Sequence, residues 1–276
     1  MQDLMQDQVQ WDRVLDVCHS LTDRVATQLL AVGNAPAEEK QDGSLVTQFD
    51  TWADEQLRTG LQTAFPDHGI LSEETHHVFP DQDWCWIIDP IDGTTNFSRG
   101  IPLWAISLGL LYRGTPVYGY IYLPPLGDRF HGYWAGTSGL TLPTGAFLNN
   151  RPIHTRPDDP SANQFFSLCA RSTSILQRPF PCKVRMLGTA AYNLLLVAAG
   201  YAVGAVEATP KVWDIAGVWP ILQAAGATWT PLDEGDPFPL TVGENYRDRA
   251  FPTLITSRAD LVDQFRPLVQ GVIGGG

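Results

Sequence analysis

The sequence predicts an α/β fold in which helices are layered against β-sheets. Three observations support this fold class: helical periodicity in the first 65 residues, strands joined by short turns between residues 105 and 135, and strands that alternate with helices after residue 185. With 276 residues, the chain is longer than the commonest domain size. We therefore expect a single domain, residues 1–276, with an N-terminal lobe at about 1–145 and a C-terminal lobe at about 146–276.

Two amphipathic helices are predicted near the N-terminus. Residues 8–33 form the first, because apolar side chains recur at steps of three and four residues, at Trp11, Val14, Leu15, Cys18, Leu21, Val25 and Leu29. Residues 33–36 contain Gly, Asn and Pro and end this helix. Residues 45–47 form a short extended piece, and a second helix follows through about Phe65. Asp50 lies in its first turn, where an acidic residue commonly offsets the helix dipole.

Strands dominate the middle of the chain. Residues 70–72 form a short strand that ends at Glu73-Glu74, a pair that by itself is typical of a solvated face. The polar segment 75–83 is predicted to be a mobile surface loop, and residues 86–88 form a buried strand. Three further strands are separated by short turns, which predicts an antiparallel sheet, and they lie at 105–112, 117–122 and 129–135.

Strands and helices alternate in the last third. The strands are predicted near 165–169, at 201–206 and at 252–256, and the helices at 192–199, at a segment ending near 225, and at 258–269. Gly188 lies just before the first of these helices, and a glycine-led helix start offers free N–H groups to an anion. Asp214 lies where it would cap the next helix, and capping alone accounts for many such residues.

The composition restricts the classes of function. The formal net charge of −12 makes the chain a poor candidate for binding nucleic acid or an anionic membrane. The same charge would repel a phosphorylated metabolite unless bound cations reversed the local field. The sequence contains neither a membrane-spanning apolar run nor a signal-peptide pattern, and its four cysteines lack metal-type spacing. We expect a cytoplasmic protein with reduced thiols.

The stretch WIIDPIDGTTNF, residues 86–97, carries the strongest chemical signal. A buried strand breaks at Pro90, and Gly93 permits a sharp turn that other residues resist. The carboxylates of Asp89 and Asp92 suit a hard cation such as Mg²⁺, and the N–H groups after the turn suit a phosphate. Either Asp-Pro or Asp-Gly alone would be an ordinary turn former. Together, adjacent metal and phosphate positions indicate metal-assisted phosphoryl chemistry.

These segments together resemble the inositol monophosphatase family of Mg²⁺-dependent, lithium-sensitive phosphatases. The matching blocks are Glu73-Glu74, DPIDGTTNF at 89–97, LGTAA at 187–191 and WDIAG at 213–217. The similarity extends from about Lys40 to Thr256, and the order and spacing of the blocks make the pattern specific. The resemblance implies a layered α/β/α/β/α sandwich, often assembled as a homodimer.

The resemblance also implies a role for each matching residue. The metal ligands would be Glu73, Asp89, the carbonyl of Ile91, Asp92 and Asp214, which would hold two Mg²⁺ ions, with a weaker third ion on Glu73. The catalytic residues would be Asp50 and Thr94, which orient and help deprotonate the attacking water, together with Glu73. The substrate-binding residues would be Asp92, Gly93, Thr94, Gly188, Thr189, Ala190, Glu207 and Asp214.

The implied function is the hydrolysis of a small phosphorylated metabolite. Inositol 1-phosphate is the best match, because TTNF after Asp92-Gly93 resembles that branch and Glu207 can accept hydrogen bonds from a polyol. Histidinol phosphate and fructose 1,6-bisphosphate are alternatives for the same site. Lys211, in a segment that departs from the family pattern, could reach a second anionic group. The alternative outside enzymes is a catalytically silent metal-binding or regulatory homologue.

Overall fold

The computed structural model describes residues 2–40, 45–177, 179–233 and 235–269, with the backbone alone for residues 2–10. Within these ranges the α-helices are α1 (Gln2–Val32), α2 (Gln48–Ala64), α3 (Thr94–Ser98), α4 (Ala190–Ala198), α5 (Val212–Ala216), α6 (Val218–Ala225) and α7 (Val262–Phe265). Short 3-10 helices lie at Arg171–Ile175, Ala259–Leu261 and Arg266–Leu268. None of the described helices is long and apolar enough to cross a membrane.

Two of the sheets are formed by the first half of the chain. A small antiparallel pair consists of β1 (Ala37–Glu39) and β2 (Leu45–Thr47). The strands of the larger sheet follow one another in chain order, and they are β3 (Gly69–Ser72), β4 (Trp84–Asp92), β5 (Ala105–Tyr112), β6 (Thr115–Leu123), β7 (Asp128–Tyr133), β8 (Gly145–Leu148) and β9 (Arg151–Pro152). Only the β3–β4 pairing of this sheet is parallel. The predicted antiparallel meander from residue 105 to 135 is confirmed.

The third sheet belongs to the second half of the chain. Its strands are β10 (Phe165–Leu168), β11 (Lys183–Arg185), β12 (Gly204–Glu207), β13 (Thr228–Pro231) and β14 (Thr253–Thr256). The spatial order is β11-β10-β12-β14-β13, with β10 parallel to both of its neighbours. The division into two lobes near residue 145 stays a prediction, and β8 and β9 extend the first large sheet to Pro152.

Helices and sheets alternate in five layers, as the resemblance implied. Successive side chains of β4 point to opposite faces, so Trp86 packs with α1 and α2 whereas Ile87 packs with the helices between the two large sheets. These inner helices are α4, α5 and α6. The C-terminal helical segment covers the outer face of the five-stranded sheet, where the rings of Phe265 and Phe166 lie 4.8 Å apart. Burying such a side chain contributes about 2 kcal/mol to folding.

Strand β4 does not break at Pro90, contrary to the sequence prediction. It continues to Asp92, and its register against β5 shifts between the pairs Asp89–Ser107 and Asp92–Ala105. The parallel neighbour β3 ends opposite Ile88, so the missing N–H of Pro90 leaves no ladder hydrogen bond unmade on that side. The irregularity re-aims the side chains at the end of the strand, and the turn predicted at Gly93 follows it.

Two other local predictions are wrong. Loop 75–83 is not a loose surface loop, because Phe79 is buried and its backbone exchanges hydrogen bonds of 2.9 Å with Gly243 and Glu244. The helix predicted at 258–269 is divided into 3-10, α and 3-10 pieces. Pro267 lacks the N–H that a continuous α-helix would need at its position.

Candidate active site

The end of β4 and the start of α3 form the centre of the site. Gly93 adopts a left-handed conformation with φ of +95°, and a Cβ there would lie 2.9 Å from Thr189 Cγ2. A glycine is therefore required both by the backbone and by the close approach of the second half of the chain. Asp89 is buried, and its Oδ1 accepts a hydrogen bond from the Ile91 N–H at 3.1 Å. This short-range bond fixes the carboxylate at the mouth of the strand.

Three carboxylates converge beyond this strand end. One oxygen each from Asp89, Asp92 and Asp214 lies within 4.8 Å of the other two. Asp214 is the third residue of α5, and its Oδ2 accepts a hydrogen bond of 2.6 Å from the Lys211 N–H. The prediction of an N-cap position for Asp214 was therefore off by three residues, since Lys211 occupies the cap. Asp214 still satisfies the helix start while presenting its carboxylate to the cluster.

Asp92 connects the two halves of the molecule. Its Oδ1 and Oδ2 accept hydrogen bonds from the N–H groups of Ala190 and Ala191, at 2.9 and 2.8 Å. These N–H groups belong to the start of α4, so the anion expected at this glycine-led helix start is a carboxylate of the chain itself. The sequence contained no sign of this pairing over 98 residues.

Glu73 lies beside the cluster and is ion-paired with Lys40. The Glu73 N–H donates to the Ile88 carbonyl at 3.1 Å, which places the residue next to β4. The Lys40 ammonium lies 2.9 Å from Glu73 Oε1 and 2.7 Å from Glu74 Oε1. Glu74 is therefore part of a half-buried ion-paired group rather than of a solvated face, and burial together with Glu73 raises its pKa to about 7. Sequence analysis missed Lys40, which has no local pattern to mark it.

The electrostatics of the cluster favour a bound cation. Burial raises the pKa of Asp89 well above its usual value, and the neighbouring Glu73, Asp92 and Asp214 raise it further. Burial is also the main reason that the pKa values of Asp92 and Asp214 rise to about 7. Oxygen ligands from converging carboxylates are the donors that Mg²⁺ prefers. A divalent cation would compensate the charge that burial and mutual repulsion make unfavourable, so these residues fit a metal.

A hydrogen-bonded pair stands at the edge of the cluster. Thr94 Oγ1 lies 2.9 Å from Asp50 Oδ1 and 3.0 Å from the Ile91 carbonyl oxygen. Asp50 is fully buried, and its Oδ2 accepts from the N–H and the hydroxyl of Thr47, the N-cap of α2. Burial nevertheless raises the pKa of Asp50. The capping box of α2 therefore supplies an aimed carboxylate that is ready to take up a proton.

A cavity of about 470 Å³ opens beside the carboxylates, and Gly188, Thr189, Ala190 and Glu207 lie on its wall. Glu207 is buried, and burial raises its pKa well above the usual value. Its Oε1 accepts a hydrogen bond from Asn193 Nδ2 at 2.8 Å, and Asn193 Oδ1 in turn accepts from Ser167 Oγ at 2.8 Å. Sequence analysis missed Asn193, although a polar residue inside the apolar helix AAYNLLLVA is itself a signal of a buried partner.

A model of the inositol monophosphatase family matches residues 14–259 of the chain. The chain belongs to that family. The family is metal-dependent and acts on small phosphorylated substrates, which agrees with the carboxylate cluster and the adjoining cavity. The predicted α/β/α/β/α family fold is likewise confirmed.

Named relatives of the family differ in the substrate that their names give. The fructose-1,6-bisphosphatase/inositol-1-monophosphatase of Aquifex aeolicus is 32% identical over 212 residues, which cover 73% of this chain and 76% of that protein. The histidinol-phosphatase of Chlorobaculum parvum is 31% identical over 198 residues, which cover 68% of this chain and 72% of that protein.

Solved structures of the family share the fold over almost the whole chain. The extragenic suppressor protein suhB of Bartonella henselae superimposes with a TM-score of 0.79 at 25% identity, covering 94% of this chain and 99% of that one. An IMPase/NADP phosphatase complexed with Mg²⁺ and phosphate gives a TM-score of 0.71 at 25% identity, covering 91% of each chain. The family and its named relatives are phosphatases, which are hydrolases.

The structure brings the residues predicted for the site together and adds others. Asn96 was missed, and its Nδ2 donates at 2.7 Å both to the Leu103 carbonyl and to the Leu187 carbonyl. It thereby fastens the segment before α4 to the segment after α3. Lys211, predicted to reach an anionic group, lies near Asp214 and helps to lower the pKa of that carboxyl, and Arg171 lies on the cavity wall. Arg171 comes from the 3-10 helix that follows β10, far from any block of the family pattern.

Proposed function

We propose that this chain is a Mg²⁺-dependent phosphomonoesterase that hydrolyses inositol 1-phosphate to inositol and phosphate. The observation that carries the proposal is the convergence of Asp89, Asp92 and Asp214 within 4.8 Å, next to the hydrogen-bonded pair of Thr94 and Asp50. A silent homologue would have no need to keep a catalytic pair together with a metal cluster. The intact set therefore favours an enzyme over a regulatory protein on the same fold.

Two or three Mg²⁺ ions would share the carboxylates. Glu73, Asp89 and the carbonyl of Ile91 would hold the first ion, Asp89, Asp92 and Asp214 the second, and Glu73 a weaker third. When bound, the ions would supply positive charge to the phosphate and lower the pKa of the attacking water. Lys40 is ion-paired with Glu73, so its ammonium would have to move or adjust if Glu73 became a metal ligand.

The residues of the chain position the reactants and move one proton. Thr94 Oγ1 and Asp50 would orient the attacking water, and Asp50, whose pKa burial raises, would take up its proton. The N–H groups of Gly93 and Thr94 would face the phosphate, at the start of α3 where such groups are free. Phosphoryl transfer needs little covalent chemistry from the protein, so this positioning supplies most of the catalysis.

The alcohol of the substrate would occupy the wall formed by Gly188, Thr189, Ala190 and Glu207. Glu207 would accept hydrogen bonds from ring hydroxyls, held in place by Asn193. The N–H of Ala190 already donates to Asp92, so only the remaining surface of Ala190 is available to the substrate. Histidinol phosphate and fructose 1,6-bisphosphate are the second candidates, since named relatives are phosphatases for these esters.

The test is phosphate release from inositol 1-phosphate, fructose 1,6-bisphosphate, histidinol phosphate and a nucleotide 3′-phosphate, each with and without Mg²⁺. Metal-dependent turnover with the highest kcat/KM for inositol 1-phosphate is the expected result. A higher value for another ester would replace the substrate and keep the chemistry. No release from any ester by protein that binds Mg²⁺ would support the silent homologue instead.

Three properties of the family accompany the proposal. We propose inhibition by lithium, assembly as a homodimer and a cytoplasmic location. Loss of turnover at tens of millimolar LiCl but not NaCl would support the first, and the mass measured by light scattering would test the second. The cysteine pattern supports the third, because all four residues are free thiols, three of them buried.

A further inference from the structure

Arg171 is a cation on an otherwise acidic cavity wall. The acidic residues of this wall are Glu73, Asp89, Asp92, Glu207 and Asp214. Among the described residues that line the cavity, Arg171 alone is basic. The overall charge of −12 adds to the negative field. The Lys40 ammonium is ion-paired with Glu73, so Arg171 is the basic side chain on the wall itself that could attract a second anionic group of a substrate.

The backbone around Arg171 is held firmly. The next residue, Ser172, is buried, and its N–H donates to the Cys169 carbonyl at 3.1 Å. The Ser172 hydroxyl lies 3.4 Å from the carbonyl oxygen of Val206, the residue before Glu207. Arg171 is therefore attached to the strand that carries Glu207, the proposed contact to the alcohol.

The guanidinium is aimed along the same wall. Arg171 Nη1 donates to Thr209 Oγ1 at 3.0 Å. Thr209 lies on the cavity wall two residues after Glu207, so their Cα atoms are at most about 7 Å apart. This distance is within the span of a small sugar, so an alcohol that contacts Glu207 would bring its far end near the guanidinium.

Most of the hydrogen-bonding capacity of Arg171 is unused. In the described part of the chain it takes part in no ion pair, whereas Arg58, Arg113 and Arg129 each have a carboxylate partner. The bond to Thr209 uses one of five N–H donors, which leaves a planar fork that fits a phosphate or carboxylate.

We propose that Arg171 is a specificity-determining residue that binds a second anionic group on the leaving alcohol. The inference rests on the proposed phosphatase function and extends it beyond inositol 1-phosphate: phosphate esters whose alcohol carries a further phosphate or carboxylate gain affinity, and cationic alcohols lose it. The bond to Thr209 holds the guanidinium in position before the substrate arrives.

The test compares two sugar phosphates that differ only in the second phosphate, fructose 1,6-bisphosphate and fructose 1-phosphate. Each is measured as a competitor of inositol 1-phosphate hydrolysis in the presence of Mg²⁺, which gives an inhibition constant whether or not the competitor is itself hydrolysed. We expect the bisphosphate to bind about two- to fivefold more tightly, the range for an exposed charge pair such as one with Arg171. In Arg171→Gln this preference should vanish, and in Arg171→Lys it should persist in part.

The KM and kcat for inositol 1-phosphate are measured for each variant in parallel, so that general damage to the site is separated from loss of the second-anion preference. The matched control is Arg99→Gln, which removes one exposed positive charge outside the cavity wall and should leave the preference intact. An unchanged preference in Arg171→Gln, an equal loss in Arg99→Gln, or no preference in the wild type would overturn the proposal.

If no ester of the panel is hydrolysed, the proposed function fails separately. Dissociation constants of the same two sugar phosphates, measured by calorimetry with Mg²⁺ present, then replace the inhibition constants. The ratio between them still decides the role of Arg171.

Discussion

The substitution Asp92→Asn distinguishes the contribution of this carboxylate to metal binding from its contribution to folding stability. The Asp92 carboxylate accepts hydrogen bonds from two N–H groups of α4 and belongs to the carboxylate cluster. Its substitution therefore changes folding stability and activity for different reasons. The pKa of Asp92 rises from its usual 3.8 to about 7. At about 1.4 kcal/mol for each pH unit, keeping this group ionised at pH 8 costs about 4 kcal/mol of folding free energy.

The Asn side chain removes that cost but loses part of the helix contact. Its oxygen can accept one N–H of α4, while its NH₂ group faces the other, which costs about 1–3 kcal/mol. The electrostatic gain is of the same order as this loss or larger. Without divalent metal at pH 8, we therefore expect Asp92→Asn to be as stable as the wild type or to melt up to about 5 °C higher, given the unfolding entropy of a chain of this size.

Metal binding and turnover should change in the opposite direction. Saturation of the wild type with Mg²⁺ at 100 times its Kd adds about 2.7 kcal/mol, or about 5 °C, and this gain should vanish in Asp92→Asn. Phosphate release should fall by about 10²–10³-fold or more, because the charge that holds the metal is lost. The assays are thermal denaturation with and without Mg²⁺ and phosphate release, with the exposed Asp67→Asn as control. A variant that keeps a tenth of the activity together with its Mg²⁺-dependent stabilisation would refute the metal role of Asp92.

The remaining predictions concern the residues that hold the site in place and the pH dependence of its stability. Asn193→Leu should lower the free energy of unfolding by about 3 kcal/mol and the melting temperature by about 5 °C, because Glu207 and Ser167 lose a buried hydrogen-bond partner. An unchanged melting temperature would contradict this network. Gly188→Ala should destabilise the protein by about 1–3 kcal/mol and reduce turnover, since Gly188 has φ of +78° and a Cβ there would lie 2.6 Å from Asn96 Nδ2. Chemical denaturation measures the loss of stability, and a variant as stable as the wild type would refute the clash. The metal-free protein should lose stability from pH 5 to pH 8. The raised pKa values of Asp92 and Asp214 make the folded state bind protons more tightly than the unfolded state, so the stability from protonation is complete below about pH 4 and is lost as the pH rises through about 7. A melting temperature that rises from pH 5 to pH 8 would contradict the assignment.

Much of the fold follows from periodicity that is local in sequence. The three- and four-residue steps of α1 and the strands from Ala105 to Tyr133 were predictable because their buried faces repeat with a regular period. Short or exposed strands were not. β9 has two exposed residues and β11 is largely exposed, so neither has a periodic apolar pattern, and both form only through neighbouring strands.

The candidate site was predictable where one short block carries both its turn and its ligands, as in residues 89–97. Contacts between distant segments were not predictable in the same way. The partner of Lys40 is 33 residues away, and the peptide groups that bind Asp92 are 98 residues away. The prediction that the strand breaks at Pro90 was wrong for a related reason. A proline interrupts a strand only where the neighbouring strand would accept a hydrogen bond from the N–H that proline lacks, and only the assembled sheet determines this.

The carboxylate cluster takes Asp89 and Asp92 from one end of a strand and Asp214 from a helix more than a hundred residues later. The cluster therefore exists only once both large sheets have come together around α4 and α5. If Mg²⁺ binds as proposed, it would have little to bind while the chain is still assembling, so it would stabilise the finished protein more than the folding transition state. Its effect would fall mainly on the rate of unfolding. The lifetime of the native state would then depend on the supply of the ion that the proposed chemistry uses.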